Sequence, residues 1–462
     1  MRKKSLAALI LSALILITAA CGGGKSNNGN GDAKAGENSG SDSVSSKKVE
    51  LSFVDIAPSP ERKKFFTEVI DGFQQEHKNI TVKYQSIPWD QAYNKIATQG
   101  ATGTLPDVVN MYPAWLSTLV PAGYLEPISD RYDKWDNKNN LSDYVKNITI
   151  EETQRKLYKD VYTIPDALMA GALFVRTDWF KEANLELPTT WDEVFTASEK
   201  LTDASKKRYG WAYRGARAGF DQIMTYITSV TNGETYEKDG TSTLLRPEAL
   251  EAFKRFTDIY KKGWAPKDSI NWGYLEMVQG FTSGVTGILN QTTEVIATAQ
   301  ESMQDGTWTV IPYPLGNDGK RYVGAGSSWG YSISKNSKHK DEAWEFIKYL
   351  STPEINAKYS KEFTMIPIMK DAANDPELGN GPMKGFMDTL NDPNTLYPAS
   401  MGSFPELNEF REGFMDAEVQ KYLLGQQSAE DTIKHLGDFL TKAQKKFMEE
   451  NPDIPVPAPI RP

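Results

Sequence analysis

Val49-Glu-Leu-Ser-Phe-Val-Asp55 alternates apolar and polar residues, Arg62 to His77 carries Phe65, Phe66, Ile70 and Phe73 at helical spacing, and Ile80-Thr-Val-Lys-Tyr84 alternates again. Period two marks a strand and period 3.6 an amphipathic helix, so this stretch reads strand, helix, strand. The pattern continues outward: Gln91 to Thr98 reads as a helix, Asp107-Val-Val-Asn-Met111 as a short buried strand, and Trp115 to Val120 as a further helix. Strands alternating with helices imply a parallel sheet covered by helices on both faces. In such sheets a ligand sits outside the carboxyl ends of the strands. The residues just past those ends are Pro58-Ser59, Pro88-Trp89-Asp90 and Met111-Tyr112-Pro-Ala-Trp115, so aromatic side chains are concentrated where a ligand is expected.

Towards the amino terminus, Met1-Arg-Lys-Lys4 precedes an apolar run from Leu6 to Ala20 and then Cys21, the single cysteine of the 462 residues. A basic start and a short apolar run form a secretory signal, too short to span a hydrocarbon core of ~30 Å. Leu16-Ile-Thr-Ala-Ala-Cys21 resembles the lipobox of bacterial lipoproteins, with Thr18 where leucine is usual; the resemblance implies that Cys21 is acylated and becomes the new amino terminus. A disulfide has no second cysteine to draw on. The expected location is the outer, extracellular face of the cell membrane, held by lipid. Residues 22–48 are almost wholly Gly, Ser, Asn, Lys, Asp, Glu and Ala, too poor in apolar groups to order themselves. They form a tether whose ends lie about 28 Å apart on average.

From Val49 onward the composition is that of a globular protein, and roughly 410 residues exceed what one core organises, so two lobes are expected. The formal charge is −9, and removing Arg2, Lys3 and Lys4 with the signal takes it to −12. That balance disfavours nucleic acid as a partner, which wants a basic face, and none is expected. A fold without disulfides in an exported chain rests on its core alone.

Several further stretches carry a family resemblance: Phe73-Gln-Gln-Glu-His-Lys-Asn-Ile-Thr-Val82, Gly103-Thr-Leu-Pro-Asp-Val108, Gly123-Tyr-Leu-Glu-Pro127, Tyr162-Thr-Ile-Pro165, Asp178 to Glu193, Phe281-Thr-Ser-Gly284, Ile333 to Lys338 and Glu342-Ala-Trp-Glu-Phe-Ile347. In that order and spacing they resemble the extracellular carbohydrate-binding proteins of ABC importers, the family that includes maltose-binding protein, over Val49 to about Phe447. Phe174-Val-Arg176 departs from the family's usual Tyr-Tyr-Asn. The resemblance implies a two-lobed α/β fold of the periplasmic-binding type, each lobe a mostly parallel sheet flanked by helices. It implies a first lobe from 49–170 with a return at 323–372, a second from 171–322 with a return at 373–462, and a multi-crossing hinge at Met169 to Phe174, Tyr322 to Gly326 and Ile368 to Ala373. It also implies a sugar or oligosaccharide ligand, the importer's membrane subunits as partners, a monomer, no cofactor and no enzymatic activity.

A pyranose presents C–H patches that lie on aromatic rings and a rim of hydroxyls needing donors and acceptors. Candidate sugar-binding residues on those grounds are Ser59, Trp89, Asp90, Tyr112, Trp115, Arg214, Trp272, Asn290, Ser328, Trp329 and Phe404, with Trp115, Trp272 and Trp329 leading for stacking. Trp191, Trp211, Trp308 and Trp344 are assigned to packing. Arg214 and Arg217, if both face the cleft, would suit an acidic sugar through bidentate pairing. Leu187-Pro-Thr-Thr-Trp-Asp-Glu193 reads as a capped helix start.

Enzymatic readings fare poorly. Gly326-Ser-Ser-Trp-Gly330 fits the spacing of a nucleophile elbow, but a helix should follow the serine and Trp329-Gly-Tyr-Ser-Ile-Ser334 alternates as a strand. Paired carboxylates for a glycosidase cannot be recognised by spacing alone. No HExxH motif or Cys/His cluster is present, and Asp136 to Asp143 lacks the glycine and closing glutamate of an EF loop, so it reads as a solvated loop.

Overall fold

The computed structural model describes residues 48–460, except 217, 328 and 403 and the side chains of 90, 325–327, 379, 391 and 412. Cys21 and residues 22–47 lie outside the described residues. The opening strand β1 (Val49–Asp55) buries Leu51, Phe53 and Val54 completely. It pairs in parallel with β2 (Ile80–Ser86) on one side and β3 (Val108–Met111) on the other. The connecting helices are α1 (Pro60–Glu76) and α2 (Trp89–Thr102). Ser59 caps α1, its hydroxyl accepting from the Arg62 N–H at 3.1 Å, and Pro60 supplies the preset φ of a first helical residue. Each expected element of this region is present, with α1 and α2 extended by two or more residues at their starts.

Further along the chain come β4 (Ile164–Pro165), β5 (Leu168–Ala170), β6 (Ala172–Val175), α3 (Trp191–Lys200), β7 (Tyr209–Trp211), α4 (Gly219–Val230), α5 (Pro247–Lys261), α6 (Tyr274–Thr282), β8 (Thr286–Gln291) and β9 (Thr309–Ile311). The chain continues through β10 (Arg321–Tyr322), β11 (Ala325–Ser327), β12 (Gly330–Ile333), α7 (Lys340–Leu350), α8 (Pro353–Glu362), β13 (Thr395–Leu396) and α9 (Ala429–Glu450). Helix α3 starts as the sequence indicates: the Thr190 hydroxyl accepts from the Glu193 N–H while the Glu193 carboxylate accepts from the Thr190 N–H, a complete capping box.

These elements form a two-lobed α/β fold. The first lobe holds a sheet of order β2-β1-β3-β12-β4, the second a sheet of order β7-β8-β6-β9. Each sheet is parallel except for one strand: β12 runs against β3 and β4, and β6 against β8 and β9. The two exceptions are the strands entered directly from the other lobe. They therefore run away from the junction, while the parallel strands run towards it. The junction is an antiparallel ribbon in which Leu168 pairs with Ser327 and Ala170 with Ala325, continued by a hydrogen bond from the Gly171 N–H to the Gly324 carbonyl at 3.1 Å. A third passage follows Ile366 and Met369, which bridge to Leu168 and Leu141 before the chain reaches β13. Gly171 is required here, because a Cβ would lie 2.1 Å from the Tyr313 hydroxyl oxygen.

Trp191, Trp211, Trp308 and Trp344 are all buried, as their assignment to packing requires. Phe174, at the departure from the family pattern, is a core residue of β6 stacked 6.0 Å from Trp308. Asp136–Asn140 forms a 3₁₀ turn, and among the described residues no group of three or more His, Cys, Asp or Glu could hold a metal ion.

Candidate ligand-binding cleft

The parallel strands of both sheets end at the junction, and the side chains just past those ends face one another there. In the first lobe, Trp89 follows β2 and opens α2, Tyr112 follows β3, and Trp329 precedes the reversed strand β12, so all three reach the same sheet edge. They form one aromatic cluster with Trp115. The Trp89 ring stacks on Trp115 at 5.6 Å and 22°, lies 6.3 Å from Trp329 at 33°, and meets Tyr112 edge-on at 5.6 Å. Tyr112 also meets Trp115 edge-on at 6.2 Å. Within the cluster Trp89 is the most exposed ring at 37%, Tyr112 and Trp329 are half-buried, and Trp115 is only 4% exposed.

In the second lobe the same rule places Arg214 just past β7, Asn290 and Gln291 at the end of β8, and Tyr313 just past β9. Together with Asp221, Gln222 and Thr225 from the first turns of α4, with Tyr112, and with Met169, Gly171 and Gly324 of the junction, they line a cavity of about 440 Å³. Its polar groups are fixed by one another. The Asn290 Oδ1 accepts from the Tyr313 hydroxyl, the Gln222 Oε1 accepts from the Arg214 N–H at 3.3 Å, and Arg411 pairs with Asp221 at 2.8 Å. Asp416 accepts from the Ala218 and Phe220 N–H groups at the start of α4, at 2.6 and 3.2 Å. Loss of solvation raises the carboxyl of Glu294 above its ordinary range, opposed by the Thr292 hydroxyl and the charge of Arg214. The result is a set of donors and acceptors suited to a polyhydroxylated ligand, with Tyr112 as the member of the aromatic cluster that lines the cavity.

The expected site residues fall into three groups. Trp89, Tyr112, Trp115 and Trp329 come together as the aromatic cluster, and Tyr112, Arg214 and Asn290 line the cavity. Four expectations are corrected. Trp115 is packed beneath Trp89, so the leading stacking face passes to Trp89. Phe404 is 1% exposed and belongs to the core. Trp272 donates its indole N–H to Asp268 at 3.2 Å and lies against Gly280 of α6, where a Cβ would come within 2.6 Å of its ring, so it faces α6 and not the cavity. Ser59 uses its hydroxyl as the cap of α1. Ser328, Arg217 and the Asp90 side chain lie outside the described residues. The sequence reading missed Asp221, Gln222 and Thr225. Their signal is a polar stripe at positions i, i+1 and i+4 in the first turns of the largely apolar helix Gly219-Phe-Asp-Gln-Ile-Met-Thr-Tyr-Ile-Thr-Ser-Val230.

A two-lobed α/β fold with a cavity at the ends of the strands defines the class of two-lobed solute-binding proteins. The chain matches the family of bacterial extracellular solute-binding proteins over residues 57–357, and it belongs to that family. Among its relatives, the galactooligosaccharide-binding protein of Bacillus subtilis is 25% identical over 421 residues, covering 88% of this chain and 90% of that protein. The maltotriose-binding protein of Pyrococcus abyssi is 26% identical over 332 residues, covering 70% of this chain and 68% of that protein. The fold is shared with the GacH receptor of Streptomyces glaucescens, with a TM-score of 0.73 at 21% identity over 86% of this chain and 99% of that one.

Proposed function

We propose that this protein is a lipid-anchored receptor on the outer face of the cell membrane that binds a sugar or oligosaccharide between its lobes and presents it to the membrane subunits of an ABC importer. The observation that carries the reading is the aromatic cluster of Trp89, Tyr112, Trp115 and Trp329, joined through Tyr112 to a cavity that carries the polar groups of Arg214, Asp221, Gln222 and Asn290. Stacking faces and hydroxyl partners are the two things a pyranose needs, and the relatives named for galactooligosaccharides and maltotriose support the same ligand class. The lobes of this proposal are 49–170 with 323–372 and 171–322 with 373–462. A ligand touching both binds the closed form more tightly than the open one, and that difference drives closure. The protein acts as a monomer, without cofactor or covalent chemistry. Anchoring is assigned to Cys21; no helix among the described residues is long and apolar enough to cross a membrane.

A thermal-shift screen over mono- and oligosaccharides, uronates included because Arg214 lines the cavity, tests the reading. A cognate sugar at 100 times its Kd adds ~2.7 kcal/mol of stability and is recovered chemically unchanged. A panel without any stabilising sugar, or a sugar returned cleaved, would overturn it.

A further inference from the structure

Beneath the aromatic cluster lies a buried polar network that no ligand can reach. Arg62 of α1 is 5% exposed, and its guanidinium grips Asp55 of β1 with Nη2 at 2.6 Å and Nε at 3.1 Å. Its remaining terminal nitrogen, Nη1, donates to the Tyr359 hydroxyl at 2.9 Å, and that hydroxyl donates to the Asp166 Oδ2 at 3.0 Å. Asp166 then holds the backbone of Trp329 on both sides: its Oδ1 accepts from the Trp329 N–H, and its own N–H donates to the Trp329 carbonyl, each at 3.2 Å. The chain of contacts closes on itself, because the Arg62 guanidinium carbon lies 4.7 Å from the centre of the Trp329 ring. Asp166 precedes β5 by two residues and Trp329 follows β11 by two, so the clamp sits where both strands of the junction ribbon enter the first lobe.

We propose that Arg62, Tyr359 and Asp166 are positioning residues for ligand binding, holding Trp329 against the first lobe as a fixed part of the aromatic cluster while the ribbon beyond it turns. The proposal rests on the cleft being the ligand site. Stability alone does not account for the arrangement, since a buried ion pair is commonly replaceable by well-packed apolar residues without loss. The planar guanidinium provides what neither an apolar residue nor lysine can: a flat cationic face for the indole, two in-line bonds to Asp55 and a further donor to Tyr359 at once. Lysine in its place keeps the charge on Asp55 and gives up the flat face.

The test combines a spectrum that needs no ligand with a binding cycle. Arg62→Lys is compared with wild type in the Trp329 and Trp329→Phe backgrounds, by near-UV circular dichroism of the free protein and by titration with maltotriose and a galactooligosaccharide. Arg62→Lys is expected to change the indole bands only where Trp329 is present. It is expected to weaken sugar binding about tenfold in that background and much less in the Trp329→Phe background, a coupling expected of residues in contact. Indole bands and affinities that respond equally in both backgrounds would make Arg62 an ordinary core ion pair and overturn the proposal. If Arg62→Lys does not fold, Tyr359→Phe, which leaves the Arg62–Asp55 pair intact, decides by the same two readouts. If neither sugar binds wild type, these two ligands are ruled out and the spectra alone decide the positioning role.

Discussion

Asn408 lies on the short helix Glu406–Glu409 of the second lobe, and its Nδ2 donates to the Thr118 Oγ1 of the first lobe at 2.9 Å. Neither residue lines the cavity. If the lobes separate to admit the ligand, this bond exists only when they are together. A net hydrogen bond contributes about 0.5–1.5 kcal/mol. Its loss in Asn408→Ala therefore shifts the closed-to-open ratio by a factor of about 2 to 13. If, as proposed, the bound complex is closed, release through opening accelerates by about the same factor while the fold keeps its stability to within about 1 kcal/mol. Stopped-flow dissociation of the cognate sugar reads the rate. Thr118→Val should act alike, and the double variant should add little, since both remove one bond. Dissociation rates and radii of gyration equal to wild type in both variants would refute the argument that these lobes open and close across this contact.

Three further outcomes follow from the same structure. Trp211→Ala, at a fully buried position, should cost about 3–5 kcal/mol of stability, whereas Trp89→Ala should cost no more than about 1 kcal/mol, as chemical denaturation will show. Burial alone would raise the Asp107 carboxyl, but donation from the Ser337 hydroxyl and from the Ser52 hydroxyl and N–H outweighs it and holds the group below its ordinary 3.8. Its stabilising contribution is thus present above that value and lost as pH falls through the lower folded value, so the deficit of Asp107→Asn in unfolding experiments should be full at neutral pH and shrink in acid. Cys21→Ser should leave the folded body intact and abolish lipid attachment; a wild-type amino terminus without lipid by mass spectrometry would refute the anchor.

Much of the first lobe is legible in the sequence because the signals there are local. Apolar alternation in Val49 to Asp55, helical spacing in Arg62 to His77 and the Thr190–Glu193 capping box each depend on residues a few positions apart. The strand-end rule also singles out Trp89 and Tyr112, which meet in one aromatic cluster. Orientation was not legible. Whether Trp89 or Trp115 offers its face is decided by which ring packs beneath the other, and Phe404 is claimed by core neighbours distant in sequence. Partnerships such as Thr118 with Asn408 and Arg62 with Tyr359 span 290 and 297 residues and leave no periodic trace. Gln222 could have been found, since a polar residue on the buried face of a largely apolar helix calls for a reason, whereas Asp221 and Thr225 are half-buried and look like ordinary surface residues in the sequence.

Calorimetric titration of the cognate sugar into wild type, Trp89→Ala and Arg214→Gln tests the central claim, because the two substitutions strip one contact from each lobe of the cleft. The account predicts one site per chain and affinity at least tenfold weaker in either variant, with both folds intact. A sugar bound equally well by all three proteins would place its site elsewhere and contradict the account.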